Sequence, residues 1–192
     1  MNDLTVPNDL TVPNDLTLLV GGARSGKSII GQRLAASFGL PVSVLVTAEP
    51  YDDEMVARIA SHRSERPPEW ETVEAPVELA LAIDAVPGGR AILIDCVTLW
   101  LSNLLLRGAD TDALIEEQEA LVAAFARRRE PTVVVANEVG SGIVPMEALS
   151  RRFRDEHGRL NQRLASSASR SFLVVAGRLV ALQSAPELLD LR

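Results

Sequence analysis

The sequence predicts an α/β domain: a mostly parallel central sheet with helices on both faces and a short antiparallel hairpin at the C-terminal end. Three observations carry this expectation. Apolar runs about five residues long recur at 16–20, 42–46, 91–95 and 132–136. Stretches of helical periodicity separate them. The first run opens directly into a glycine-rich turn followed by a helix, an order of elements that gathers anions at the C-terminal edge of such a sheet.

The elements follow in order. The strand at 16–20 leads to a helix at 27–38, closed by Gly39. A buried strand at 42–46 precedes a helix at 52–64, which Pro67 and Pro68 terminate. A short strand at 70–74 and a helix at 76–85, with proline at its first turn, come next. The strong strand at 91–95 is followed by helices at 97–106 and 111–129, and then by the β-branched strand at 132–136. A long helical stretch at 146–168, with a possible break at Gly158, precedes closing strands at 171–176 and 179–182. The first residues stand apart. Asn-Asp-Leu-Thr-Val-Pro begins at Asn2 and again at Asn8, and a third copy starts at Asn14. Asp and Pro at this spacing disfavour a continuous helix or a central strand. Residues 1–15 are therefore expected to be a poorly ordered tail, and 16–192 a single domain.

Composition narrows the function. A chain of 192 residues that is 47% hydrophobic can fill one sizeable core. The net charge of −7 and the lack of a Lys/Arg-rich run argue against a nucleic-acid surface. The densest basic patch, Arg127-Arg128-Arg129, ends an expected helix, where cations suit the helix dipole. Cys96 is the single cysteine, so no internal disulfide can form, which suits a reducing compartment. Neither a membrane span nor a signal peptide is expected, and the cytoplasm is the default location.

The turn after the first strand carries the chemistry. Gly21, Gly22, Ala23, Arg24, Ser25, Gly26, Lys27 and Ser28 match G-x-x-x-x-G-K-[ST], the P-loop. Its glycines let backbone N–H groups turn inward on phosphate oxygens. Lys27 would reach the β and γ phosphates and Ser28 the Mg²⁺. Of the 19 basic residues, the sole lysine is Lys27. An arginine-biased chain thus keeps a compact ammonium where one must fit between phosphate oxygens. The strand at 91–95 ends in Asp95, a carboxylate at the edge where ligands gather. Asp95 can join the metal shell, meet the base or ribose of a nucleotide, or cap the next helix.

The chain has two histidines. His62 shares a helical stripe with Glu54 and Arg58, at the margin between core and solvent. Spacing alone leaves two readings open. One is a half-buried structural histidine. The other is a nucleophile whose neutral imidazole attacks an α-phosphate, with guanidinium groups steadying the developing charge. His157, in the polar segment 154–158, reads as a surface or structural residue.

Together these segments resemble the bifunctional adenosylcobinamide kinase / adenosylcobinamide-phosphate guanylyltransferase family of cobalamin biosynthesis. The resemblance rests on the P-loop, the Thr47 turn with Asp52-Asp-Glu-Met55, Arg58-Ile-Ala-Ser-His62-Arg63 leading to Arg66-Pro67, and Trp70-Glu-Thr-Val-Glu74. It continues through Ile94-Asp95-Cys96-Val-Thr98 with Asn103, Asn137-Glu-Val-Gly140-Ser-Gly142-Ile-Val-Pro145, Phe153-Arg-Asp155 and Gly158-Arg-Leu-Asn161. These motifs keep family order from residue 16 to about 178; the N-terminal repeat lies outside them.

The resemblance implies two reactions. ATP or GTP phosphorylates the aminopropanol hydroxyl of adenosylcobinamide. GMP then passes from GTP to that phosphate through a guanylyl-histidine, giving adenosylcobinamide-GDP. It implies His62 as the nucleophile, with Lys27 as the other catalytic residue. Nucleotide contacts are implied at the P-loop, at Thr47, Ala48 and Glu49, at Arg63, Ser64, Glu65 and Arg66, and at Glu74 and Asp95. Ser28 and Asp95 are the expected metal contacts, and a homotrimer the expected assembly. Asp95 stands where relatives often carry Glu, which leaves its contact open between metal and guanosine. Ser61 stands where some have a second histidine. The loop 137–145 is expected to help form the corrinoid side of the site. A plain P-loop small-molecule kinase is the competing enzyme. A GTP-dependent switch is excluded in its usual form, because its Asn/Thr-Lys-x-Asp guanine motif needs a second lysine.

Overall fold

The structure, a computed structural model, describes residues 15–184. The N-terminal repeat through Asn14 lies outside the described residues, as do residues 185–192. Asp15, the last residue of the expected tail, is buried at the foot of the first strand. Its carboxylate accepts hydrogen bonds from Arg170 Nη2 at 2.8 Å and Ser169 Oγ at 3.2 Å.

Among the described residues seven strands, β1 (Leu16–Gly21), β2 (Val42–Val46), β3 (Glu71–Glu74), β4 (Ala91–Asp95), β5 (Thr132–Asn137), β6 (Arg170–Val175) and β7 (Arg178–Ala181), form one sheet. Its order is β3-β2-β4-β5-β1-β6-β7. All neighbouring pairs are parallel except β6–β7, the expected closing hairpin. That hairpin turns on Ala176 and Gly177, at φ 49° and 71°. Two successive positive φ values make a turn whose twist matches the flanking strands.

Among the described residues six helices cover the sheet: α1 (Lys27–Ser37), α2 (Asp53–Ser64), α3 (Leu79–Ala85), α4 (Val97–Leu106), α5 (Thr111–Arg127) and α6 (Ala148–Ser167). Alternate strand residues point to opposite faces, so β1 divides its side chains between two cores. Leu18 and Val20 join Ile92, Ile94 and Val134 beneath α3, α4, α5 and α6. Leu19 joins Val44, Leu93 and Val135 beneath α1. Each fully buried Leu or Ile contributes about 1.5–3 kcal/mol, which is why both faces hold their helices. Gly31 lets α1 lie close to the sheet: a Cβ there would stand 3.2 Å from both Leu93 Cδ1 and Val135 Cγ2.

Local chemistry sets the helix ends. Asp52 caps α2 by accepting Met55 N–H at 2.7 Å, with Asp53 and Glu54 in the first turn and His62 and Arg63 in the last. Asp110 caps α5 through Ala113 N–H at 2.9 Å. The basic patch after α5 is structural: Arg127 pairs with Asp84, and Arg128 donates to the carbonyls of Val86 and Arg90.

Two elements differ from the sequence expectation. The helix expected over 76–85 begins at Leu79. The carbonyls of Pro76 and Val77 accept from Asn103 Nδ2 at 2.9 Å and Trp100 Nε1 at 2.7 Å, and Val77 O also accepts Leu79 N–H at 2.8 Å, bonds that hold this segment in a turn ahead of the helix. The helix α6 runs unbroken through Gly158. Burial of its Glu156, His157, Leu160 and Leu164 face outweighs the roughly 1 kcal/mol preference against glycine.

Candidate active site

The sheet order sets the site. β5 lies between β1 and β4, so the C-terminal edge presents the P-loop after β1, the end of β5, and Asp95 at the end of β4. Gly21 packs against β6 so closely that an added Cβ would fall 2.3 Å from Val174 O. The loop then turns through Arg24 at φ 56° and Gly26 at φ 98°, conformations that favour glycine at the second position. The hairpin turn braces it, with Gly177 N–H donating to Ser25 O at 2.8 Å.

Lys27 is 6% exposed. Its Nζ donates to Gly22 O at 2.6 Å and to Ser25 Oγ at 3.3 Å, so the ammonium folds back over the loop that would hold the phosphates. Burial pushes its pKa down from the ordinary lysine value, with Asp95 opposing and Arg58 reinforcing.

Asp95 joins three elements. Its Oδ1 accepts from Ser28 Oγ at 3.3 Å, and its Oδ2 accepts from Arg66 Nη2 at 3.3 Å. His62 Nδ1 stands 3.5 Å from the same Oδ2. The carboxylate is 10% exposed, and burial pushes its pKa up. His62, Arg66 and Ser28 together outweigh burial and hold it below the usual aspartate value. The contact with Asp95 raises the His62 pKa, against burial and the charge of Arg58. Helix α2 thus brings the half-buried His62 beside the carboxylate that also meets Ser28 of the P-loop.

The other expected residues divide. Thr47 is buried, donating through Oγ1 to Cys96 O at 2.6 Å and accepting Cys96 N–H at 3.3 Å. This ties the end of β2 to that of β4. Asn103 extends the tie by donating to Thr47 O at 2.8 Å. Ala48 is half-buried, and Glu49 is engaged by Tyr51 Oη and by Arg107 at 2.8 Å. Arg63, Ser64 and Glu65 are exposed at the end of α2, where Ser64 bonds Ser61 O at 2.8 Å and Ser61 bonds Glu65 at 3.2 Å. Glu74 is exposed at the C-terminal end of β3, in register with Val46. Of the Arg63 to Arg66 run, Arg66 alone reaches Asp95.

Arg58, on the helical stripe of His62, carries a charge that opposes protonation of both Lys27 and His62. The available signal was its position one helical turn before His62. His157 is fully buried, a structural residue, with Nε2 2.9 Å from Thr98 Oγ1.

Ser28 Oγ and Asp95 Oδ1 are hard oxygen donors that suit Mg²⁺. Among the described residues no group of three or more His, Cys, Asp or Glu side chains could form a protein cage. Mg²⁺ does not need one, because it keeps several waters and phosphate oxygens. Among the described residues no helix is long and apolar enough to cross a membrane.

A family model described as cobinamide kinase / cobinamide phosphate guanyltransferase matches residues 17–182. The bifunctional adenosylcobalamin biosynthesis protein CobP of Pseudomonas aeruginosa is 45% identical over 170 residues, covering 88% of this chain and 98% of the relative. Its counterpart CobU of Escherichia coli is 42% identical over 173 residues, covering 83% and 95%. A Pyrococcus horikoshii protein of known structure superimposes with a TM-score of 0.58 at 10% identity, covering 92% of this chain and 89% of that one, a likeness of fold alone. With a P-loop NTPase-like fold and a family match across nearly all its described residues, this chain belongs to the cobinamide kinase / cobinamide phosphate guanyltransferase family.

Proposed function

We propose that the chain phosphorylates adenosylcobinamide with ATP or GTP and then transfers GMP from GTP to the product through a guanylyl group on His62. The observation that carries this reading is the cluster in which Asp95 meets Ser28 through one oxygen and His62 and Arg66 through the other. A plain kinase needs the P-loop side of that carboxylate. It has no need of an imidazole on the far side.

In the first reaction the substrate hydroxyl attacks the γ-phosphorus and the nucleoside diphosphate leaves. Such transfer is mostly positioning and charge neutralisation. The P-loop N–H groups and Lys27 supply these. Mg²⁺, when bound, neutralises phosphate charge further, and Ser28 and Asp95 would hold it. In the second reaction a ring nitrogen of His62 bonds the α-phosphorus of GTP, and the bond to the β-phosphate breaks, releasing pyrophosphate. Asp95 stands at Nδ1, which leaves Nε2 as the attacking atom. Arg58 and Arg66 lie where they can steady the charge on phosphate oxygens. An oxygen of adenosylcobinamide phosphate then displaces the imidazole, giving adenosylcobinamide-GDP.

The loop 137–145 forms the corrinoid side. It follows β5 at this edge and exposes Ile143 and Val144, with Ile143 97% exposed. Apolar side chains of this kind suit a macrocycle. Guanosine contacts are assigned to Glu74 and the exposed end of α2, and the working assembly to a homotrimer in the cytoplasm, on the family resemblance.

Incubation with α-labelled GTP and Mg²⁺ tests the central step. The native chain should acquire an acid-labile, alkali-stable label and His62→Ala none. A native chain that binds GTP yet stays unlabelled would leave only the kinase. Sedimentation at three chain masses supports the trimer; a single mass removes it.

A further inference from the structure

We propose that Glu138 is the general base of the phosphorylation half-reaction, taking the proton from the acceptor hydroxyl as its oxygen bonds the γ-phosphorus. This rests on the kinase half of the reading above and adds a residue to it.

The placement follows from the sheet. The β1–β5 ladder runs to Gly21 and Asn137, and one further bond continues it, with Glu138 N–H donating to Gly21 O at 2.9 Å. Glu138 is thus the first residue past β5, beside the first glycine of the P-loop. Neighbouring strands lie about 4.8 Å apart. The Glu138 backbone is therefore one strand from β1. Asp95 ends β4, the next strand beyond β5, and Glu74 ends the edge strand β3.

Competition for the role is limited by partners. Asp95 is engaged by Ser28, Arg66 and His62. Glu49 is engaged by Tyr51 and Arg107. Glu138 accepts one bond, from Gly140 N–H in its own loop, and forms no ion pair with a described residue. A carboxylate has about four acceptor positions, so most of its capacity remains for a hydroxyl.

The backbone behind it is held from two helices. Asn137 N–H donates to Thr98 Oγ1 at 2.8 Å, and Asn137 O accepts from Asn161 Nδ2 at 3.0 Å. His157 in turn meets Thr98 Oγ1 at 2.9 Å. Side chains of α4 and α6 thus fix the strand exit from which Glu138 departs, which is the support a positioned base requires. The loop that continues from it is the proposed corrinoid side, so the acceptor hydroxyl enters between Glu138 and the γ-phosphate. The bonds balance: the hydroxyl O–H breaks as the proton goes to Glu138, O–P forms, and the γ-phosphorus bond to the leaving diphosphate breaks. Glu138 then returns its proton to solvent.

The two half-reactions separate this role from a structural one, because guanylylation of an imidazole needs no hydroxyl deprotonated. Glu138→Gln should lower kcat for adenosylcobinamide phosphorylation by about 10²–10⁴-fold. GTP affinity and the rate of labelling from α-labelled GTP should stay within about threefold, a margin well under 1 kcal/mol. Glu138→Asp should recover part of the kinase rate. Phosphorylation by Glu138→Gln at near-native rate overturns the proposal. So does loss of GTP affinity or folding in step with activity in both variants. A native chain that takes no label removes the guanylyl-histidine and leaves Glu138 to be judged on kcat against GTP affinity.

Discussion

His62 Nδ1 lies 3.5 Å from Asp95 Oδ2, the oxygen that Arg66 also contacts. One carboxylate therefore sets the protonation of the imidazole from α2 while its other oxygen faces Ser28. Because Asp95 raises the His62 pKa above its ordinary 6.5, the pairing stabilises the nucleotide-free fold below pH 6.5. That contribution is lost as pH rises through the folded value. Proton NMR of the nucleotide-free chain should show one histidine titrating above 6.5, and Asp95→Asn should move that midpoint down. An unmoved midpoint would mean that the carboxylate does not govern the ring.

Lys27 offers a test that uses the absence of any other lysine. An amine-reactive reagent should modify Lys27 and the chain terminus alone, and saturating nucleotide should protect Lys27 as phosphates engage Nζ. Lys27→Ala should cut phosphorylation by at least 10²-fold while unfolding at nearly the native temperature, the cost of removing a donor aimed at transition-state charge being about 3 kcal/mol or more. Lys27→Arg should fail to rescue, because a planar fork cannot fold back between Gly22 O and Ser25 Oγ as the ammonium does. Mass mapping of the modified chain and a kinase assay check both.

What was legible in the sequence is what local spacing encodes. The strands over residues 42–46 and 91–95 and the helix over 97–106 lie where their apolar runs place them. The P-loop is a contiguous motif, so its place between strand and helix followed at once. Asp95 was legible as a strand-end carboxylate, but its partners were not, because Ser28 is 67 residues away and Arg66 is 29. The same holds for the late start of α3. Nothing near Pro76 tells that Asn103 and Trp100 will take its carbonyl and that of Val77. His157 lies in a polar segment and yet is fully buried, because α6 turns that face toward Thr98 on α4. Spacing gives the face of a helix; which face finds a partner is decided by the sheet order.

His157 makes a prediction about acid stability. Burial pushes its pKa down to about 4, against 6.5 in the unfolded chain. Between those values the unfolded state binds more protons, so stability falls as pH drops from 6.5 toward 4. At about 1.4 kcal/mol per pH decade, the full effect is about 3 kcal/mol. Urea unfolding of native protein and His157→Gln should show a gap favouring the native chain at pH 7 that narrows toward pH 4. A constant gap would mean that the ring is not held neutral by burial.

Gly21 and Gly22 separate folding from phosphate binding at adjacent positions. A methyl at Gly21 would fall 2.3 Å from Val174 O, its register partner in β6, and backbone on both sides cannot yield cheaply. Overpacking of this kind costs about 1–3 kcal/mol, which for a chain this long lowers Tm by roughly 2–4 °C per kcal/mol. Gly21→Ala should therefore lose several degrees and, since β1 and β6 must part there, GTP affinity as well. At Gly22 a Cβ meets nothing within 4 Å, and its φ is not among the positive ones. Gly22→Ala should melt within about 2 °C of the native chain, as surface changes within about 0.5 kcal/mol do. Thermal melts with and without GTP decide it: equal losses in the two variants would show that the contact with Val174 is not what demands glycine at the head of the loop.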